Sequence, residues 1–357
     1  MGRFVRWVIF CGISIALSAC ATSGLERAQR DANGFDARLV WPPPPQTARV
    51  HFERSISGPS DIGTRKSWLK RAIDSLLGKE EAAERLLRPY GVFADSGKIY
   101  VTDTGSRVLH IFDTKEKKYF AIRKVGRTEL VSPIGVVADS AGRIYLSDSL
   151  LKKIFVLDGG GRYLMEIGTG DMLARPSGIC ADGERLYVVD THGHKIVVFS
   201  EKDGSLLYTF GGNGSGEGEL NYPTNIFIDR QGLLYVTDSM NFRVQIFDRT
   251  GRFISMFGKH GDGSGDFSKP RGIAVDSDGH IYVADALFDA VQIFDREGRL
   301  LLAFGSTGKG DGEMILPAGV FIDADDRIYV ADSYNMRVQI FRYLKGEVEC
   351  PGVQGVK

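Results

Sequence analysis

One strand-turn-strand phrase recurs six times between Arg88 and Phe341, and this repetition constrains the fold more than any single residue. The copies read RPYGVFADSGKIYVTD, SPIGVVADSAGRIYLSD, RPSGICADGERLYVVD, YPTNIFIDRQGLLYVTD, KPRGIAVDSDGHIYVAD and LPAGVFIDADDRIYVAD. Their prolines, Pro89, Pro133, Pro176, Pro223, Pro270 and Pro317, are spaced by 44, 43, 47, 47 and 47 residues. That period is the length of one propeller blade, so the chain is expected to be all-β: a six-bladed β-propeller of four-stranded antiparallel blades. The 44 glycines sit mostly at repeat-spaced turns and punctuate strands.

In the fifth copy the apolar run Gly272 to Asp276 suits an innermost strand covered on both sides. Ser277-Asp278-Gly279 turns the chain, and Ile281–Asp285, Val291–Phe294 and Leu300–Phe304 complete a four-strand meander. The sixth copy lacks a fourth strand. Arg49 to Gly58 alternates as a strand and is expected to supply it, with Val50, Phe52 and Ile56 on one face. The connection from Pro59 to Arg88 then lies on the top face, where second strands end and third strands begin. It carries Trp68, Leu69, Ala72, Ile73, Leu76 and Leu77 at helical spacing, which predicts an amphipathic helix over about 64–87. This helix is expected to pack on the top face near the channel mouth; a membrane-surface helix and a partner-binding helix are the alternatives.

The N-terminus differs in kind. Arg3 and Arg6 precede an apolar run from Trp7 to Leu17, too short to span a bilayer, and small residues follow. The ending Leu17-Ser18-Ala19-Cys20 resembles the lipobox of bacterial lipoproteins, which implies a signal peptide over 1–19 and acylation at Cys20. Several acyl chains hold a domain on a membrane where one barely does. Ala21, in place of an aspartate, points by the same resemblance to the outer membrane, facing the periplasm. A Pro-rich tether is expected over 20–47, with Trp41 to Pro45 as extended polyproline II, then the propeller over 48–345 and a tail over 346–357. Cys180 reads as a small buried hydrophobe, and its pairing with Cys350 is left open. Lys plus Arg equals Asp plus Glu at 45 each, which gives no field to recruit nucleic acid.

The stretches Asp238 to Phe247 and Asp332 to Phe341 resemble NHL repeats. The loops from Phe257 to Pro270 and from Phe304 to Pro317 share that family's F-G-x-x-G-x-G-x-G spacing. The resemblance covers Arg88 to Leu344. Blades one to three depart from it, with Gly105-Ser106-Arg107, Leu151-Lys152-Lys153 and His192-Gly193-His194-Lys195 at the asparagine-containing turn.

Aspartates closing every second strand (Asp103, Asp148, Asp190, Asp238, Asp285, Asp332) and every first strand (Asp95, Asp139, Asp182, Asp229, Asp276, Asp323) are read as structural acceptors, since a residue present in all blades marks no single site. The Gly-rich loops lack the Lys-Ser/Thr and helix of a phosphate loop, and their acids do not form an EF-hand pattern. His192, His194 and His260 are weak metal candidates, and no metal or other cofactor is expected. Related six-bladed propellers include lyases and lactonases. The innermost strands here begin with Tyr90, Ile134, Ser177, Asn225, Arg271 and Ala318, which offer no acid-base pair, so no catalytic residue is assigned.

The sequence therefore points to a membrane-anchored binding scaffold for a protein or glycan of the cell envelope, with no nucleic-acid partner. One loop per blade would display Arg107, Lys152, Lys153, His192, His194, Lys195, Phe242, Arg243, Phe288, Asp289, Tyr334 and Arg337 on the top face. A propeller enzyme of lyase or lactonase type, using a channel-bound metal, is the alternative.

Overall fold

The computed structural model describes residue 36, residues 38–64 and residues 84–345. Six sheets stand around a central channel, five of four strands and one of five. Blade one comprises Pro89–Asp95, Lys98–Asp103, Val108–Asp113 and Lys118–Ile122. Blades two to five repeat that meander from Pro133, Pro176, Pro223 and Pro270. Blade six is Pro317–Ile322, Arg327–Asp332 and Arg337–Tyr343, and Val50–Ile56 pairs antiparallel with its third strand. The expected closure is thus present. Helical geometry among the described residues is confined to short 3-10 turns such as Pro59–Ile62 and Ser239–Asn241, and no helix there is long and apolar enough to cross a membrane.

The core lies between blades. Six apolar clusters form, each spanning a blade boundary. Second and third strands are buried on both faces because each blade is sandwiched by two neighbours, whereas fourth strands such as Phe253–Phe257 alternate half-buried and exposed. The recurring tyrosine of the IYVxD phrase spans this interface: Tyr187, Tyr235, Tyr282 and Tyr329 donate to Asp182, Asp229, Asp276 and Asp323 at 2.9–3.1 Å. Burial raises each of these phenols well above the usual tyrosine range.

Two details of the closing segment differ from expectation. A register shift between Phe52 and Arg54 inserts one residue, which flips the strand's faces. Val50 and Phe52 therefore join Phe304 and Phe341 against blade five, while Ile56 joins Val92, Val101 and Phe112 against blade one. The stretch expected as a polyproline rod instead turns back: Val40–Trp41 forms a fifth strand on Val50–Ile56, so Pro42 to Pro45 lie in the connection. This fifth strand lies upstream of residue 48. The signal segment, Cys20, most of the tether, the expected helix with Trp68, and Cys350 lie outside the described residues.

Around the channel the innermost strands approach backbone to backbone. A Cβ on Gly91, Gly135, Gly272 or Gly319 would sit 2.2–2.5 Å from a carbonyl oxygen of the neighbouring strand, which is why the residue after Pro-x is glycine in five blades. Blade four has Asn225 there, and its side chain fills the space over Gly178.

Candidate functional site: the top-face channel mouth

The aspartates ending the second strands tie the top face together. Asp103 is fully buried and accepts from the backbone N–H groups of Leu87, Arg88, Gly105 and Ser106. Asp148, Asp190 and Asp285 repeat this on Ser132, Arg175 and Lys269. Each carboxylate joins the start of its first strand to the turn after its second, so these acids are structural.

The twelve loop residues expected to bind separate into three groups. Arg107, Lys152, His194, Phe242 and Asp289 all occupy one backbone position, the left-handed residue before the third strand, with φ of 50–57°. Their alignment reflects the turn, not a shared ligand. Arg243 and Arg337 are buried and turned inward: Nε donates to Asp238 or Asp332 at 2.7 and 2.9 Å, and the other nitrogens donate to carbonyls of the preceding Gly-rich loop. Asn241 and Asn335 add bonds to Gly214 and Gly308. These side chains clamp the Gly-rich loops, whose own Glu219, Asp266 and Glu313 accept N–H groups inside the loop. Lys153 pairs with Glu166 at 2.8 Å. Phe242 meets His260 edge-on, and Asp289 accepts from Leu316 N–H and the Thr307 hydroxyl.

The third group reaches the mouth or rim. Tyr222 stands between His192 and His194, 5.7 and 4.6 Å from their ring centroids, and its N–H donates to Nδ1 of His194. Among the described residues no three His, Cys, Asp or Glu side chains converge as metal ligands, so these histidines and His260 do not form one site. Tyr334 is exposed and packs under Arg88 at 5.7 Å. Arg107 and Lys152 are exposed, while Lys195 and Phe288 are half-buried on the rim.

Sequence reasoning missed the cup itself. A cavity of about 640 Å³ opens on the top face, lined by Arg175, Lys269, Arg271, His192, Tyr222 and the hydroxyls of Ser149, Ser177, Thr191, Thr224 and Ser239, with no carboxylate. Thr224, not Asn225, is the register equivalent of Ser177 and Arg271, one residue past the proline. Arg271 lies over the Tyr90 ring at 5.9 Å, and Arg175 donates to Nε2 of His192 at 3.4 Å. The signal was present: aligned on their prolines, the repeats carry Arg88, Arg175 and Lys269 at the preceding position.

Below the cup, a second cavity of about 240 Å³ runs along the channel between innermost strands. Val92, Val136, Ile179, Ile226, Ile273 and Val320 contribute to its wall, and Phe93, Phe227 and Phe321 gather in it, with Phe93 and Phe321 4.7 Å apart. No carboxylate or imidazole lines it, and burial pushes the Cys180 thiol well above its ordinary range. The two cavities share Tyr90, Ile134, Thr224 and Arg271, so the cup opens onto an apolar floor.

Comparisons with known proteins agree with this architecture. A six-bladed β-propeller family model matches residues 169–233 and 230–291, and an NHL-repeat model matches residues 315–341. Similar solved structures include virginiamycin B lyase from Staphylococcus aureus, at TM-score 0.54 and 15% identity over 72% of this chain and 96% of that one. An auxiliary nutrient binding protein from Bacteroides thetaiotaomicron aligns at TM-score 0.57 and 14% identity, over 73% of this chain and 70% of that one. At such identities the likeness is one of fold. The chain is a six-bladed β-propeller whose last blade carries an NHL repeat.

Proposed function

We propose that this chain is an exported, lipid-anchored binding propeller that captures an envelope partner, a protein or a glycan, on its top face. The gathering of cations without carboxylate partners at one cavity mouth carries the reading. On the opposite face, Arg162, Arg252, Arg299 and Arg327 each meet a carboxylate at 2.6–3.5 Å, while Arg230, Arg249 and Lys202 there sit in separate turns and line no common cavity with one another among the described residues. Around the mouth, Arg88, Arg107, Arg175, Lys269 and Arg271 have no carboxylate partner among the described residues, although the chain as a whole has equal numbers of acids and bases. Cations left without internal partners beside a hydroxyl-lined cup suit an external acidic or polar group. The aspartates beneath them, Asp190 and Asp285, accept from the backbone N–H groups of Arg175 and Lys269.

Anchoring rests on the lipobox resemblance at Cys20, with the outer membrane, periplasmic side, as the proposed site. A metal-dependent enzyme has less support, because the channel wall supplies no ligand set or acid-base pair. The test is crosslinking and co-purification from membranes of the full chain. Arg175→Glu with Lys269→Glu should lose the recovered partner, and Arg299→Glu on the opposite face should keep it. Equal loss from both faces, or stoichiometric zinc or calcium in the purified protein, overturns the reading.

A further inference from the structure

The cup and its floor differ in chemistry, and that difference defines a ligand. Arg271 stands where the two cavities meet, its guanidinium held over Tyr90 and free of any carboxylate among the described residues. Arg175 and Lys269 line the same cup, while the Ser177, Thr191 and Thr224 hydroxyls are bonded to one another or to backbone carbonyls and leave the cations as its ligand-facing donors. Beneath lie about 240 Å³ walled by aliphatic and aromatic side chains. For scale, an apolar cavity of roughly 150 Å³ stays dry and accepts benzene. Below the residues shared with the cup, Asn225 adds a polar side chain to this wall: its Oδ1 accepts from Ile226 N–H, and its Nδ2 has no hydrogen-bond partner among the described residues.

We infer that the mouth binds a small amphipathic carboxylate, with the anion at Arg271 in the cup that Arg175 and Lys269 line and an aromatic or short aliphatic body in the channel. The inference rests on the reading of the top face as the binding face, and it names what that face recognises. A purely inorganic anion would leave the floor empty. An uncharged apolar molecule would leave the guanidinium without a partner. Only a ligand with both ends uses both halves of the site. Two sources present this chemistry: a free organic acid, and the C-terminal carboxylate of a peptide ending in an apolar residue.

Titration calorimetry on the purified chain tests this with acetate, n-hexanoate, benzoate, inorganic phosphate, and an acetylated dipeptide ending in phenylalanine beside its C-terminal amide. Full burial strengthens binding by about fourfold per methylene, so hexanoate should bind at least ~10-fold more tightly than acetate. Arg271→Gln should weaken hexanoate by about tenfold or more, with the ligand-free melting temperature unchanged. Tighter binding of the dipeptide acid than of benzoate, lost in its amide, assigns the source to a chain terminus; the reverse order assigns it to a free acid. Phosphate matching hexanoate, equal binding of acetate and hexanoate, an unaffected Arg271→Gln, or no binding at all overturns the inference. If wild-type chain still recovers its partner from membranes in those cases, the top-face reading stands without it; if Arg175→Glu with Lys269→Glu also recovers the partner, the top-face reading itself fails.

Discussion

The Phe52 ring meets Phe341 edge-on at 5.6 Å between centroids, so a residue near the start of the described chain packs on the third strand of the last blade. Trp41 covers the same Phe341 ring at 5.7 Å and reaches Phe304 of blade five at 6.0 Å. Glu53 accepts from Arg342 beside them, and Leu344 N–H donates to Arg49. The ring is closed by side chains as well as by the strand ladder.

Closure should therefore depend on this segment in two graded steps. Trp41→Ala and Phe52→Ala each remove a partly buried aromatic and should cost about 2–4 kcal/mol, read from urea midpoints. A chain beginning at residue 58 should lose cooperative unfolding and aggregate, since it exposes an unpaired strand edge. A truncated chain that stays monomeric with an unshifted midpoint refutes the role given to Val50–Ile56.

At the same seam, Gly319 lies against blade one, where an added Cβ would sit 2.5 Å from the Tyr90 carbonyl oxygen. Backbone on both sides leaves nothing flexible to yield. Gly319→Ala should destabilise by about 2–4 kcal/mol or prevent folding. Asn225→Gly, at the equivalent position of blade four, should fold normally. Comparison of their melting curves isolates the steric cause.

The blades, their order and the closing strand were legible because period, proline and glycine positions, and alternation are local signals. The structural role of the repeated aspartates followed from their repetition alone. The two-residue strand Val40–Trp41 was not legible, being too short to show a period beside four prolines. Nor was the inserted residue between Phe52 and Arg54, which leaves alternation intact in the sequence while reversing which neighbour Ile56 touches. The pairing of Arg243 and Arg337 with the aspartates five residues before them was legible from spacing, but their burial was not, because their other partners, loop carbonyls some 24–28 residues earlier, carry no side-chain signature. The cup escaped notice because its residues flank the prolines of separate blades and meet only in the closed ring.

Those two buried arginines give a sharp test. The Arg337 guanidinium bonds Asp332 and the carbonyls of Gly310 and Glu313, and Asn335 and Gln339 also donate to Asp332. Arg337→Met leaves Asp332 without its cation and should cost about 3–5 kcal/mol. Arg337→Lys should recover little of this, since an ammonium cannot span carboxylate and loop together. Hydrogen exchange should show the 305–316 loop opening in both variants. Full rescue by lysine refutes the clamp.

Blade one carries the clearest pH-dependent element. His110 is fully buried at the register held by Gln245, Gln292 and Gln339 in blades four to six. Its Nδ1 lies 2.8 Å from the Tyr119 hydroxyl and its Nε2 3.3 Å from the Ser106 hydroxyl. Burial pushes the imidazole down to about 4, against the pull of Asp103. An unfolded chain binds that proton near pH 6.5, so between pH 6.5 and 4 the unfolded state holds the extra proton. Stability from this group is thus complete above 6.5 and falls as pH drops toward 4, by up to about 3 kcal/mol. His280 works in the opposite sense: its bond to Asp276 raises its pKa, so its contribution is present at low pH and lost as pH rises through the folded value. His110→Gln supplies the residue used at the same register elsewhere and removes the titration. Its urea midpoint should therefore fall less than wild type between pH 7 and 4.5, and parallel curves for the two proteins across that window refute a neutral buried His110.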